Sequence, residues 1–299
     1  MNQDRPDLSA IVVNWNGGEM LLRCLQSLLA AAQGMSAGIW LVDNASGDGS
    51  AERAIQTYPE VRLIRNDGNL GFARAANQAL AQAAGAYLLL LNPDVQIGPG
   101  ALTRMLEVMR GDSRIGIAGC PSVDGQGRRV PGYELSFPGQ RRAAVSQSEG
   151  EVQEVAWVSG ACLLARRAMA QAIGFLDPGF FMYYEDVDWC YRARAAGWRV
   201  VTIPAALVRH ELGSSSAQAP AARAAQWAAG SRLRFYQKHY SRRRARWLKV
   251  RLQASALAQV LWRLLPSAFS QAMRAELRKE LAYLRAAVGS HIEGHEGKR

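Results

Sequence analysis

Between residues 8 and 120, short apolar runs alternate with stretches of helical periodicity, and this alternation constrains the chain more than any other feature. Ser9–Val13 is β-branched, and Glu19–Ala32 carries Met20, Leu21, Cys24, Leu25, Leu28 and Leu29 at helical spacing. Ile39–Val42 is an apolar run closed by the turn-forming stretch Asp43–Gly49. Helix is expected at Ala51–Thr57, Phe72–Ala84 and Gly100–Arg110, and strand at Val61–Arg65, Ala86–Leu91 and Ile115–Cys120. Ala86–Leu91 is apolar throughout, as a strand buried on both faces must be. Such alternation predicts an α/β fold of right-handed βαβ units, a mainly parallel sheet flanked by helices. Residues 121–155 break the rhythm with Gly, Pro, Arg, Ser and Gln and read as a long loop or irregular hairpin. Regular structure resumes at Val155–Ala165, and a short helix to Ile173 follows. Then come the helix Glu185–Ala196, the strand Arg199–Ile203, the helix Ala219–His239 and a helical segment 242–287 interrupted at Pro266.

The 299 residues suffice for one large domain with an appendage. Cys24, Cys120, Cys162 and Cys190 are scattered without metal-ribbon spacing, which excludes a disulfide scaffold and suggests a reducing compartment. No basic stretch followed by an apolar one stands at the N-terminus, so no export signal is expected and the expected location is cytoplasmic. The net charge of +11 is uneven: residues 241–299 hold 13 Lys/Arg against 4 Asp/Glu. Absence of G-x-G-x-x-G, Walker A, H-E-x-x-H and G-x-S-x-G argues against a nicotinamide oxidoreductase, P-loop NTPase, zinc protease or α/β-hydrolase.

Three carboxylate groups fall at strand or helix ends, and ligands of a parallel sheet bind outside the carboxyl ends of its strands. Asp43 follows one strand, and Asp94 follows another within Asn92-Pro93-Asp94. Glu185, Asp186 and Asp188 open a helix. Taken singly, Asp43 fits a turn former and the Glu185 group fits a helix first turn. Asp43 and Asp94 at one edge suggest a site. Pro93 stops the buried strand, and a carboxylate just beyond it suits a hard divalent cation (Mg²⁺ or Mn²⁺) shared with phosphate oxygens. Asn69, Gly71, Arg74 and Asn77 surround a helix start that can receive a diphosphate or a base edge.

These residues carry a resemblance. Val12-Val-Asn-Trp-Asn16, Val42-Asp-Asn-Ala-Ser46, Asn69-Leu-Gly-Phe-Ala73, Asn92-Pro-Asp-Val95 and the run from Gly174 to Asp188 occur in the order seen in glycosyltransferase family 2. Trp189-Cys-Tyr-Arg192 and Ala196-Gly-Trp198 follow. The similarity is to its bacterial rhamnosyltransferase-like branch and covers about residues 8–240. It implies a GT-A fold with a donor half at about 8–120 and an acceptor half at about 121–240. It also implies that Asn14 and Asn16 meet the nucleotide, that Asp43 bonds the base, and that Asn69, Gly71, Arg74, Asn77 and Asn92 belong to the donor site. Asp94 would be the last residue of the metal motif, with Asn92 replacing its first Asp, and His210 a further metal ligand. Asp186, beside Glu185, would be the general base. Trp157, Ser159, Gly160 and Asp188 would line the acceptor side.

What the resemblance implies is inverting transfer of a sugar from a nucleotide-sugar donor, dTDP-L-rhamnose in that branch. The acceptor would be a saccharide, or one linked to a polyprenyl diphosphate, in surface-polysaccharide synthesis. UDP-hexose or UDP-N-acetylhexosamine transfer and a non-catalytic nucleotide-sugar-binding module are the alternatives. In the basic segment 241–299, Arg242–Arg251 leads into Leu252–Trp262, eleven residues without charge and well short of the ~20 that span a bilayer. That mix suits a helix lying on an anionic membrane surface, or a helical cap with a solvated basic face. Nucleic-acid binding is disfavoured because no recognition module accompanies the arginines.

Overall fold

The computed structural model describes residues 6–140, 152–211 and 220–264, with 276, 279 and 280. They form two compact units: one runs up to Gly179 and from Glu185 to residue 211, and the other takes Phe180–Tyr184 and the described residues from 220 on.

The first unit opens with the expected alternation: β1 (Leu8–Asn14), α1 (Gly18–Ala31), β2 (Ala37–Asp43), α2 (Ser50–Thr57), β3 (Arg62–Arg65), α3 (Phe72–Gln82) and β4 (Tyr87–Leu91). Next come β5 (Val95–Ile97), α4 (Ala101–Gly111), β6 (Ile115–Gly119), β7 (Ser122–Val123), β8 (Arg129–Val130) and β9 (Tyr133–Glu134). The unit continues with β10 (Gln153–Glu154), β11 (Trp157–Val158), β12 (Cys162–Arg166), α5 (Arg167–Ile173), α6 (Glu185–Ala195), β13 (Arg199–Thr202) and β14 (Val208–His210).

Eight strands form the main sheet in the order β10-β13-β6-β12-β4-β1-β2-β3. β1 runs parallel to β2 and β4, β2 to β3, and β6 to β13; β12 opposes β4 and β6, and β10 opposes β13. The chain steps outward from β1 to β3 and then crosses back to lay β4 on the other side of β1. That places the reversal of strand order between β1 and β4, where open α/β sheets bind ligands. Ala10, Val12, Leu89 and Leu91 share one cluster with Leu21, Leu25 and Leu28 of α1 and Leu102, Met105 and Leu106 of α4. Neighbours Ile11, Leu88 and Leu90 alternate to the opposite face and are equally buried. Each such leucine, isoleucine, valine or methionine contributes about 1.5–3 kcal/mol by leaving water.

Three local features go beyond the detail of the sequence expectation. The structure that resumes at Val155–Ala165 is two strands. β11 pairs with β9 in a separate ribbon and β12 joins the main sheet, because Ser159 and Gly160 spend their N–H groups on Gly132 O (2.8 Å) and the Asp186 carboxylate (2.8 Å). Residues 121–140 hold a hairpin, β7–β8, closed by Asp124, whose carboxylate accepts the N–H groups of Gln126 and Arg128. Finally, β5 and β14, three residues each, pair in a four-stranded sheet ordered β5-β14-β7-β8. All four cysteines are buried free thiols.

In the second unit, α7 (Ala221–His239) and α8 (Arg242–Leu264) pack together. Phe181 meets the Trp227 ring at 4.8 Å, and the Ser231 hydroxyl donates to Met182 O at 2.8 Å. The expected helix start at Ala219 and the interruption at Pro266 lie outside the described residues.

Candidate active site

Parallel pairing brings the ends of β1 and β2 level, Asn14 beside Asp43, while Val12 faces Leu91 at the end of β4. Asn92, Pro93 and Asp94 therefore project just past the same edge. Asn14 is wholly buried. Its Nδ2 donates toward Asp43 Oδ1 (3.1 Å), Ser46 Oγ (3.0 Å) and Ser50 Oγ (2.9 Å), and its Oδ1 accepts Gly17 N–H (3.0 Å). A Cβ on Gly17 would stand 2.4 Å from that oxygen, so glycine is what lets the chain turn there. Asn16, at φ +53°, accepts Gly47 N–H at 2.7 Å through its side chain. Asn14 and Asn16 thus tie the turns after β1 and β2 into one platform around the buried Asp43.

Sequence reasoning passed over Asn44, which organises the next segment. Buried beside Asp43, it donates to Asn69 Oδ1 (2.9 Å) and accepts from Asn66 Nδ2 (3.1 Å) and Leu70 N–H (3.0 Å). Asn69 in turn accepts Gly71 N–H at 2.9 Å, and Gly71 enters α3 at φ +80°, a region open to glycine. The available signal was the amide side chain, donor and acceptor at once, directly after Asp43 at the start of a turn-forming stretch. Arg74 and Asn77 face elsewhere. Asn77 forms a two-way clasp with Leu176 (Nδ2 to O 2.8 Å; N to Oδ1 3.2 Å), and Arg74 Nε donates to Pro178 O at 3.1 Å. From α6, Arg192 donates to Ile173 O (2.7 Å) and Phe175 O (2.6 Å), and Trp189 Nε1 donates to Gly174 O (2.9 Å). Residues 173–178 are gripped from both helices. Asp188 is fully buried and paired with Arg192 at 2.8 Å, so it holds that grip in place.

Beyond β4, the antiparallel pairing of β14 with β5 sets His210 opposite Val95, and Glu211 N–H bonds Asp94 O at 3.1 Å. His210 Nε2 lies 3.4 Å from Asp94 Oδ1, with side chains 15% and 3% exposed. A carboxylate oxygen and an imidazole nitrogen are both divalent-metal donors. Their separation is close to the roughly 3 Å between adjacent octahedral ligands at 2.0–2.1 Å from one ion. Among the described residues no third His, Cys, Asp or Glu completes a cluster. Asp94 and His210 are the side chains that would hold a divalent cation here, and the ion would offset the charge of a diphosphate. Cys24 lies nearby, its thiol held protonated by burial and by the Asp94 charge.

The other carboxylates open α6. Asp186 Oδ2 accepts Gly160 N–H and Oδ1 accepts Val187 N–H, each at 2.8 Å. Ala161, the next residue, accepts Asn92 N–H through its carbonyl at 2.9 Å. The consecutive residues Gly160 and Ala161 therefore fasten the α6 carboxylate to the strand end that carries Asp94. Burial and the neighbouring Asp186 charge push the Glu185 carboxyl well above the usual carboxylate range. Burial raises Asp186 too, against the pull of its two backbone N–H bonds. Those bonds favour the ionised form of Asp186, while burial favours the neutral form of Glu185. Glu185 Oε2 and Trp157 Nε1 are buried polar atoms without a hydrogen-bond partner among the described residues. Ser159 Oγ caps its own turn by accepting Ala161 N–H at 3.3 Å.

This sheet, with its ligand edge between β1 and β4, is the GT-A architecture of nucleotide-sugar transferases. A mannosyltransferase from Pyrobaculum calidifontis solved with GDP-Man and Mn²⁺ superposes with a TM-score of 0.59 at 17% identity, covering 98% of this chain and 89% of that one. The transferase GalNAc-T7, solved with UDP, GalNAc and Mn²⁺, also gives 0.59 at 17% identity, over 70% of this chain and 44% of that one. The chain belongs to glycosyltransferase family 2: the family model described as "Glycosyltransferase like family 2" matches residues 6–249. The N-acetylglucosaminyl-diphospho-decaprenol L-rhamnosyltransferase of Mycobacterium tuberculosis is 34% identical over 243 residues, 72% of this chain and 79% of its own length. A hexosyltransferase of low-salt glycan biosynthesis from Haloferax volcanii is 25% identical over 204 residues, 63% of this chain and 62% of its own.

Proposed function

We propose that the protein transfers L-rhamnose from dTDP-L-rhamnose, with inversion, to a saccharide carried on a polyprenyl diphosphate, in cell-envelope polysaccharide synthesis. The observation that carries this reading is the Gly160–Ala161 bridge, which fastens the Asp186 carboxylate to the strand end bearing Asp94. The mycobacterial relative supports the sugar and the acceptor class. Asp43 and the Asn14–Asn16 platform receive the base, and the Asn44–Asn69–Gly71 loop shapes the wall beside it. Asp94 and His210 would hold a divalent cation. Once bound, that ion neutralises the diphosphate leaving group. Asp186 takes the proton of the acceptor hydroxyl as its oxygen attacks the anomeric carbon. The bond from that carbon to the diphosphate oxygen breaks on the opposite face, and its electron pair leaves with the nucleotide. One displacement inverts the centre, so a second carboxylate nucleophile is not needed. Burial pushes the neighbouring Glu185 carboxyl toward its neutral form, which limits competing charge beside Asp186. Trp157, with its unspent buried N–H, together with Ser159 and Gly160, borders the acceptor, while Asp188, Arg74 and Asn77 keep the frame.

The test is thermal stabilisation by dTDP, UDP and GDP with and without Mn²⁺, since ligands of the native state raise stability as ln(1 + [L]/Kd). Transfer from dTDP-L-rhamnose to N-acetylglucosaminyl-diphospho-polyprenol is then measured. Preference for dTDP with product formation is expected. Preference for UDP with UDP-sugar turnover replaces the donor, and binding without turnover on any donor replaces the enzyme with a binding module.

A further inference from the structure

α8 presents two unlike faces. Ala245 and Leu248 are buried, while Trp247, Val250 and Leu257 on the other side are exposed, Trp247 to 63%. At 3.6 residues per turn, Val250, Ala254 and Leu257 fall within about 80° of Trp247, so they form one stripe along the helix. Arg243 and Arg246 are exposed on the same side, and the Arg251 guanidinium lies over the Trp247 ring, 5.2 Å from its centroid. Arg242–Leu264 holds seven basic residues and no acidic one. No helix among the described residues is long and apolar enough to cross a membrane.

From this stripe we infer that α8 docks in the plane of an anionic phospholipid surface. Its occupant must offer apolar area to Trp247, Val250 and Leu257 and negative charge to the arginines around them. A second copy of the chain would bring the same seven positive charges and repel. A nucleic acid offers phosphates but nothing for Val250 and Leu257. A bilayer surface offers both, headgroup phosphates above and the acyl boundary below, and tryptophan favours that depth. The inference does not depend on the donor or acceptor proposed above, because vesicle binding is measured without either.

Flotation of the full chain with phosphatidylcholine vesicles, and with vesicles in which one lipid in four is phosphatidylglycerol, tests it. Two variants confined to exposed positions are compared, R243Q/R246Q/R251Q and W247S/V250S/L257S. Binding is expected to the anionic vesicles and not to the neutral ones. Each basic residue near such a surface is worth about fivefold, so the arginine variant should bind roughly a hundredfold more weakly, and added salt should release the wild type. The apolar variant should also detach, while melting as the wild type does. The inference is overturned if neither vesicle binds, if both bind equally, or if either variant floats like the wild type. It is also overturned if the apolar variant melts lower or changes oligomeric state, because the stripe then packs on protein. A DNA oligonucleotide bound more tightly than the anionic vesicles, equally by the wild type and the apolar variant, would make the surface a nucleic-acid contact.

Discussion

Asp94 and His210 lie far apart in the chain and reach each other because β14 pairs with β5, whereas Glu185 and Asp186 are adjacent in sequence and differ only in their surroundings. The first pair is assembled by topology, and each member has a chemistry that the other complements. In the second pair, two like groups differ in surroundings: Asp186 accepts the N–H groups of Gly160 and Val187, while Glu185 Oε2 is buried without a hydrogen-bond partner among the described residues. A cation site needs convergent donors from different elements. A general base needs a carboxylate kept ionised within reach of the proton it takes. The two kinds of site therefore fail differently when a residue is changed.

Replacing Asp186 by Asn should lower turnover by roughly 10²–10⁴-fold, the usual worth of a positioned base, while nucleotide binding persists. Steady-state kinetics with isothermal calorimetry of the nucleotide reads both; near-wild-type turnover would pass the role to Glu185. In the topological pair, Asp94→Asn should abolish the Mn²⁺ dependence of diphosphate binding. His210→Gln should weaken that dependence by about 10- to 100-fold, the range typical of groups that orient or complete a metal site. If titrations with Mn²⁺ are unchanged in both variants, the pair is only a structural contact.

Smaller effects sharpen the distinction between site and frame. Asn77→Ala leaves the Leu176 N–H and C=O without their clasp and should destabilise by about 1–3 kcal/mol in urea unfolding, with the nucleotide Kd little changed. A large loss of nucleotide affinity at unchanged stability would move Asn77 into the donor site. Glu185→Gln should give the smallest shift, and its sign depends on pH. The folded-state pKa of Glu185 is raised, so below its unfolded value wild type and variant should be alike. As pH rises through and above that value, the unfolded chain ionises Glu185 freely and the folded one resists, so the wild type loses stability that the variant keeps. Melting temperatures taken from acid to neutral pH should therefore diverge in favour of Glu185→Gln, and a constant difference would contradict the buried, protonated carboxyl.

Much of the donor half was legible because its signals are local. β4 is five apolar residues in a row, α1 repeats leucines every three or four positions, and Asn-Pro-Asp stops a buried strand. Asp43 stood out as a carboxylate at a strand end. Asn44 beside it did not, since its value lies in three partners from the loop at 66–71. Arg74 and Asn77 sit at a helix start, as a phosphate ligand would, and only the packing of residues 173–178 shows where their donors go.

By itself the sequence determined the βαβ periodicity, the carboxylates at strand and helix ends, and the family motifs, because hydrophobic period and turn chemistry act within a few residues. The tertiary structure decided that His210 meets Asp94, that Gly160 and Ala161 join the Asp186 carboxylate to the end of β4, and that Glu185 and Asp186 share a buried position with different hydrogen-bond partners. Three-residue strands carry too little pattern to be read in advance, and a carboxyl group's charge depends on burial and hydrogen bonds that exist only once distant segments have packed.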